Sequence, residues 1–386
     1  MKTLINNGIN WQTLLDLAKQ HGVRPLLLQS VKSVCWHSVP QSAQLELEQF
    51  NRANVQRSLH YVGVLFHLLS DFQEKSIPVA FFKGAVLAQS VYNDLSLREY
   101  GDLDVIVHET DVRKAEGILS ARGYVAYFPD KDYRKAFLHY LGQYAFRHLE
   151  TGLTVDLHWQ LSNKYETFPI NASEIWPRLQ TLTISGRSIP TFSPDDLALF
   201  LAAHGTKEGW RRLIWICDFA ELLRHCRDVD WAAVTDRAER SHCTRALLLA
   251  INLASTLLDA PAPLDLVHLA HNDSAIGMLT ATVPHKMLRA TPGSEIEELI
   301  NSLDMYDRFK QRIRPVVLLL STRTVGDYTA MPLPKSLWCL YYITRPFRMA
   351  KKLAGIMLRN ILAALNSIVR TVSGRLAQNL KARKMC

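Results

Sequence analysis

Nothing in this 386-residue sequence reads as a disulfide framework or a zinc ribbon. Its six cysteines (Cys35, Cys217, Cys226, Cys243, Cys339 and Cys386) are scattered, with no Cys-x-x-Cys pair. That pattern predicts reduced, mostly buried thiols in a cytoplasmic protein. No apolar run approaches the roughly 18–20 residues that crossing a bilayer takes. The opening residues carry no basic segment leading into an apolar run and a small-residue cleavage site, so no secretory leader is expected. Glycine and proline, at 17 and 16 residues, are not enriched, and no stretch reads as low-complexity or disordered. Walker A, G-x-G-x-x-G and G-x-S-x-G patterns are all missing, which argues against those nucleotide-binding and hydrolase classes.

What is present is a folded chain, 48% hydrophobic and long enough for two or three packed units. The net charge of +9 is unevenly spread. From Tyr328 to the end there are eleven Lys/Arg and no Asp or Glu, so the rest holds 34 basic against 36 acidic residues. The body is near neutral and the tail carries the basicity.

Periodicity divides the chain into four expected units: a helical lead-in over 1–75, a mixed α/β core over 76–190, a helical domain over 191–330 and a basic tail over 331–386. In the lead-in, Trp11, Leu14, Leu15, Leu17 and Ala18 follow helical spacing up to a break at His21-Gly22. In the core, Pro78–Phe82 and Leu103–Val107 read as buried strands, with helices over Ala85–Tyr92 and Asp111–Arg122. Tyr124–Phe128 is a further strand, and Glu150-Thr151-Gly152 turns a hairpin between Gln143–Leu149 and Leu153–Trp159. Ser193 caps the first helix of the next unit, with Pro194 at its first turn. Further helices are expected near 210–226, 230–240, 243–258 and 295–312.

The chemistry concentrates at Gly101-Asp102-Leu103-Asp104. Two aspartates one residue apart on a strand point to the same face, so their carboxylates converge on one divalent cation or bridge two. An otherwise apolar strand has little structural use for two same-face acids, and a hard cation such as Mg²⁺ offsets their repulsion. A D-x-D triplet alone is weak, since such triplets are common at solvated strand entries. Three neighbours strengthen it. Lys83-Gly84 ends one strand and opens a helix, where a phosphate can approach backbone N–H groups. Arg98 lies four residues before Asp102, within reach of phosphate oxygens or of a surface partner such as Glu99 or Asp94. Asp156 sits in the apolar strand Leu153–Trp159 and shares a face with His158. Three carboxylates on neighbouring strands beside a glycine turn suit two-metal phosphoryl transfer.

These residues carry a resemblance. Lys83, Gly84, Tyr92, Arg98, Asp102, Asp104, Gly123 and Tyr124 follow the core motif of the bacterial uncharacterised nucleotidyltransferase family, a branch of the DNA polymerase β-like superfamily. Asp156, His158 and Trp159 match its later acid and His-Trp, while His204, Trp210, Trp215 and Asp218 match its helical motif. The resemblance covers most of residues 10–350. It implies an α+β minimal nucleotidyltransferase fold, a short mixed sheet with flanking helices, between a helical lead-in and a helical C-terminal domain. It further implies that Asp102, Asp104 and Asp156 bind two Mg²⁺ ions (Mn²⁺ as the alternative), with Asp156 helping to activate an acceptor hydroxyl. Lys83, Gly84 and Arg98 would hold the triphosphate of an NTP. The chain departs from the superfamily at Gly84-Ala85, where many members have Gly-Ser or Gly-Gly, which removes one hydroxyl contact.

Other readings stand beside these. His158 either neighbours the metal or hydrogen-bonds Asp156 to orient it. A zinc site from His158, His204 and Asp156 lacks supporting spacing. His204, Trp210 and Trp215 at helical spacing fit a core better than a base-stacking platform. In the tail, Leu353, Met357, Ile361, Leu365, Ile368 and Val372 share one helical face and Lys352, Arg359, Asn366, Arg370 and Ser373 another. That is a basic amphipathic pattern suited to an anionic membrane surface through 345–386, and so to a peripheral location at the inner face of the membrane. Nucleic acid fits less well, since only Phe347 follows Arg345 as an aromatic. The leading expectation is NMP transfer from an NTP to a hydroxyl acceptor, such as a sugar or lipid-linked intermediate. The alternatives are a toxin-like transferase acting on tRNA or protein, and a catalytically silent nucleotide-binding scaffold at the membrane.

Overall fold

The computed structural model describes residues 8–162, 170–288 and 309–355. Among the described residues the lead-in holds the α-helices α1 (Trp11–His21), α2 (Arg24–Val34) and α3 (Gln41–Glu74). Asn10 caps α1 by accepting from the Thr13 N–H, and Gly22 ends it in the left-handed region with φ of 68°.

The core follows as β1 (Val79–Phe81), α4 (Gly84–Tyr92), β2 (Asp102–Val107), α5 (Val112–Ala121), β3 (Tyr124–Ala126), α6 (Lys131–Phe137), β4 (Gln143–His148) and β5 (Thr154–His158). The strands form one sheet in the order β1-β2-β5-β4-β3. Only β2 and β5 run parallel, and the crossover that a parallel pair needs is supplied by everything between them. The expected α+β class, with a short mixed sheet and flanking helices, is the architecture observed.

A second sheet, β6 (Gln180–Ile184) with β7 (Arg187–Thr191), follows the short helix α7 (Ala172–Ile175). Its turn is Ser185-Gly186, both at positive φ (48° and 79°), the conformation that favours a tight hairpin. Sequence reading did not anticipate this hairpin. The helical domain then runs through α8 (Pro194–Lys207), α9 (Leu213–His225), α10 (Trp231–Arg240), α11 (Thr244–Leu258), α12 (Leu264–Asn272) and α13 (Ser274–Met287). Ser193 does cap α8, accepting from the Asp196 N–H. The last two helices were not foreseen either, since Pro284 lies inside α13 and reads locally as a breaker. Of the helix expected at 295–312, only its end falls within the described residues, in α14 (Phe309–Ser321). After it come α15 (Val325–Ala330) and α16 over 341–355. The amphipathic pattern beyond residue 355 lies outside the described residues.

Side-chain alternation sorts the sheet into two faces. On one, Phe81, Leu103, Val105, Val155 and Leu157 pack with Leu65, Leu68 and Phe72 of α3 and Leu119 of α5. On the other, Ala80, Phe82 and Ile106 join the core of the helical domain, with Leu197, Phe200, Trp210 and Phe219. Asp102, Asp104 and Asp156 alternate onto this second face. The acids therefore stand where the sheet meets the helical domain.

Candidate active site

The register of the parallel pair creates the site. It sets Asp104 directly opposite Asp156, and Ile106 opposite His158. Asp104 is 1% exposed, and one of its oxygens carries two contacts. Lys83 donates to Oδ1 from 3.2 Å, and the Nε2 of His158 stands 3.1 Å from the same atom. Oδ2 of Asp104 is buried with no hydrogen-bond partner. Asp156 accepts from the Gln143 amide at 3.2 Å. Ligand atoms of Asp104, Asp156 and His158 all lie within 4.8 Å of one another, a spacing that could hold a metal ion.

Electrostatics divides the three acids. Burial by itself would raise Asp104, but the Lys83 ammonium and the His158 hydrogen bond overcome it and hold this carboxyl below the usual range. Asp102 is pushed up to about 6, first by the Asp104 charge and then by burial. Asp156 is pushed up to about 7 by burial and by both neighbouring carboxylates. Burial would lower the half-buried Lys83, yet attraction to Asp104 and Asp102 leaves it above its ordinary value. One ammonium against three carboxylates leaves a deficit of positive charge, which a divalent oxygen-seeking cation would fill.

His158 is lowered by burial, so its ring is neutral near pH 7. An ionised Asp104 can only accept, which places the ring proton on Nε2. That nitrogen is committed to Asp104, so His158 orients a carboxylate and keeps a lone pair only on Nδ1. The sequence expectation of a His158–Asp156 hydrogen bond is corrected here. Residues two apart on a strand stand about 6.6 Å apart along it, whereas Asp104 reaches His158 from the neighbouring strand.

Arg98 is the second correction. Its Nε and Nη2 bind the two oxygens of Asp218 at 2.8 and 2.9 Å, and Tyr92 donates to the same carboxylate at 2.8 Å. Two of its nitrogens are thus engaged by the Asp218 carboxylate of α9. Neither expected surface partner is used, since Glu99 binds Arg24 and Asp94 accepts from Ser96. Asp218 lies 120 residues further along the chain, out of reach of local reading. The Arg98 charge still acts on Asp102, pulling it down against the push of Asp104.

Gly84 adopts φ of 56°, and a Cβ there would lie 2.9 Å from the Asp102 carbonyl oxygen. The glycine thus lets the start of α4 close onto β2, leaving the first α4 N–H groups without helical partners. Ala85 is fully buried in the sheet core. His204 stacks on Phe200 and meets Trp215 edge-on, and burial holds its ring well below the ordinary value. Trp210 is fully buried in the helical core.

Sequence reading missed the residues that fix the loop before Asp102. Tyr61 and Thr154 both donate to the Gly101 carbonyl, and Asn54 donates to the Ser96 and Arg98 carbonyls. Gln143 was legible in principle, because the hairpin turn at Thr151-Gly152 brings the start of β4 beside Asp156.

A mixed sheet bearing clustered aspartates across a parallel pair, closed by a glycine turn and a helical domain, defines the nucleotidyltransferase class. Residues 7–259 match the model of the family described as uncharacterised nucleotidyltransferase, and the chain belongs to that family. No curated protein matches the chain in sequence. Among solved structures, similarity extends to the antibiotic-resistance factor ANT(2″)-Ia in complex with adenylyl-2″-tobramycin. That chain is 12% identical over 47% of this chain and 96% of its own, with a TM-score of 0.35. The lincosamide antibiotic adenylyltransferase LnuA, lincomycin-bound, is 17% identical over 43% and 94%, with a TM-score of 0.29. An antigenic nucleotidyltransferase-like protein from Paracoccidioides brasiliensis is 16% identical over 48% and 90%, at 0.29. Likenesses this distant say nothing about substrate.

Proposed function

We propose that the chain transfers a nucleoside monophosphate from an NTP to a hydroxyl acceptor in a Mg²⁺-dependent reaction. One observation carries this reading: the parallel register brings Asp104 beside Asp156 while leaving a buried oxygen of Asp104 unpartnered. A buried orphan carboxylate oxygen is costly unless something binds it. Asp102, Asp104 and Asp156 are oxygen donors of the kind Mg²⁺ takes, with Mn²⁺ as a substitute, and would hold two ions. Bound there, the metal would neutralise triphosphate charge and favour the ionised acceptor oxygen.

The chain's own groups do the rest. Free N–H groups at the start of α4 bind phosphate oxygens, and Lys83 adds positive charge beside Asp104. The acceptor oxygen attacks the α-phosphorus, forming one P–O bond as the bond to pyrophosphate breaks. Asp156 accepts the hydroxyl proton, which is the proton balance a general base must supply. Gln143 holds Asp156 in place, and His158 holds Asp104.

The test is incubation with each labelled NTP, Mg²⁺ and a cell extract. Pyrophosphate release by the wild type should fall at least about a hundredfold in Asp104→Asn and in the Asp102→Ala/Asp104→Ala pair. Release that is unchanged in both would sink the assignment.

A further inference from the structure

The segment 309–355 differs from the rest of the molecule in what it shows to solvent. It contains nine Lys/Arg and one acid, Asp327. That acid is buried and spent on Arg345 and Arg348, whose pairing ties α15 to α16. Nothing acidic is left on the surface of this segment. It also carries eight of the twenty large apolar side chains exposed among the described residues. Stray exposed leucines are ordinary, but a concentration of them in one unit marks an interaction surface.

The apolar groups follow the helices. On α16, Tyr341, Arg345 and Met349 are buried at helical spacing. Ile343, Phe347 and Lys351 follow the opposite stripe, with Ile343 62% and Phe347 75% exposed, and the exposed Leu340 stands just before the helix. On α14, Leu319 and Leu320 turn inward onto Met349, while Ile313 and Val317 face out. An exposed apolar stripe running into the exposed Lys351 and Lys352, on a segment with no exposed acid of its own, matches the chemistry of an anionic bilayer interface. None of the helices among the described residues is long and apolar enough to cross a membrane, so the match is to the surface.

We propose that 309–355 is a docking surface for an anionic lipid bilayer, with Phe347 and Ile343 entering the interface and Lys351 meeting head groups. The sequence pattern expected at 345–386 pointed to the same partner, but this assignment rests on 309–355 alone. It stands independently of the transfer reaction.

The experiment is flotation of the full-length protein with vesicles of phosphatidylcholine, alone or mixed with an equal part of phosphatidylglycerol. Binding should need the anionic lipid and weaken as salt rises. Ile343→Ser/Phe347→Ser should lower partitioning by roughly tenfold or more, the scale of losing buried apolar side chains. Lys351→Glu should lower it further. Leu264→Ser, which removes an equally exposed leucine (75%) from the helical domain, should leave binding unchanged. Matching circular dichroism and melting curves would show that these surface variants fold. Wild-type binding that the double variant leaves intact would overturn the proposal. So would absence of vesicle binding combined with self-association, or with nucleic-acid binding, that Phe347→Ser abolishes.

Discussion

At the scale of single residues, the site is a competition for one carboxylate. Asp104 stays ionised because Lys83 and His158 share its Oδ1, and that leaves Asp102 and Asp156 to carry the protons. His158→Ala should weaken Mn²⁺ binding, followed by calorimetry, about tenfold to a hundredfold, as loss of an orienting partner does. His158→Gln, which keeps a donor, should recover part of it. The raised acids also set a pH dependence. Below the ordinary carboxylate range, Asp102 and Asp156 are protonated in folded and unfolded chains alike, and their raised values contribute stability in full. That contribution is lost as pH climbs through about 6 and then about 7. Asp104 works the other way, but its transition lies at more acid pH. The metal-free protein should therefore melt progressively lower between about pH 4 and 7, and Mg²⁺ should flatten the slope. Asp156→Asn should flatten it without metal; an unaltered slope in that variant would contradict the assignment of its cause.

At the scale of elements, what was local was readable. Period-two alternation put Asp102 with Asp104, and Asp156 with His158, on common faces, because alternation is a property of a strand by itself. The capping of α8 by Ser193 and the hairpin of β4 and β5 were legible for the same reason. The acids were expected on neighbouring strands, but register is not local, so the setting of Asp104 directly opposite Asp156 and the true partner of His158 were hidden. Asp218 was read as part of a helical motif, but its pairing with Arg98 across 120 residues was hidden too. That ion pair is buried on both sides, and removing one partner strands the other charge away from water. Asp218→Ala should cost about 3–5 kcal/mol in urea unfolding, while Tyr92→Phe, which deletes only a neutral donor to the same carboxylate, should cost about 1 kcal/mol.

At the scale of the whole molecule, the chain closes on itself twice. The helical domain covers one face of the sheet, and the segment after α14 docks on α6. There Phe137 meets Trp338 and Tyr341, and Tyr133 meets Tyr328. Asp327 and Arg345, which pair, lie on either side of the boundary drawn at residue 330 from the sequence. Phe137 is fully buried, so Phe137→Ala should cost about 3–5 kcal/mol. The substitution should also speed hydrogen exchange across 325–345 ahead of the sheet; unchanged exchange there would mean the docking holds without it.

The burial of Arg98 against Asp218 bears on how this protein can be handled. A fragment trimmed to the sheet and its lead-in would keep every aspartate of the candidate site, and would look sufficient on paper. It would also keep a guanidinium whose counterion had been cut away, together with Phe82 and Ile106 stripped of their apolar cover. Such a fragment is expected to come out of cells insoluble, so the smallest piece worth purifying for crystallography or drug screening must include α9. Truncation is therefore the wrong tool for dissecting this molecule, and point substitution is the right one.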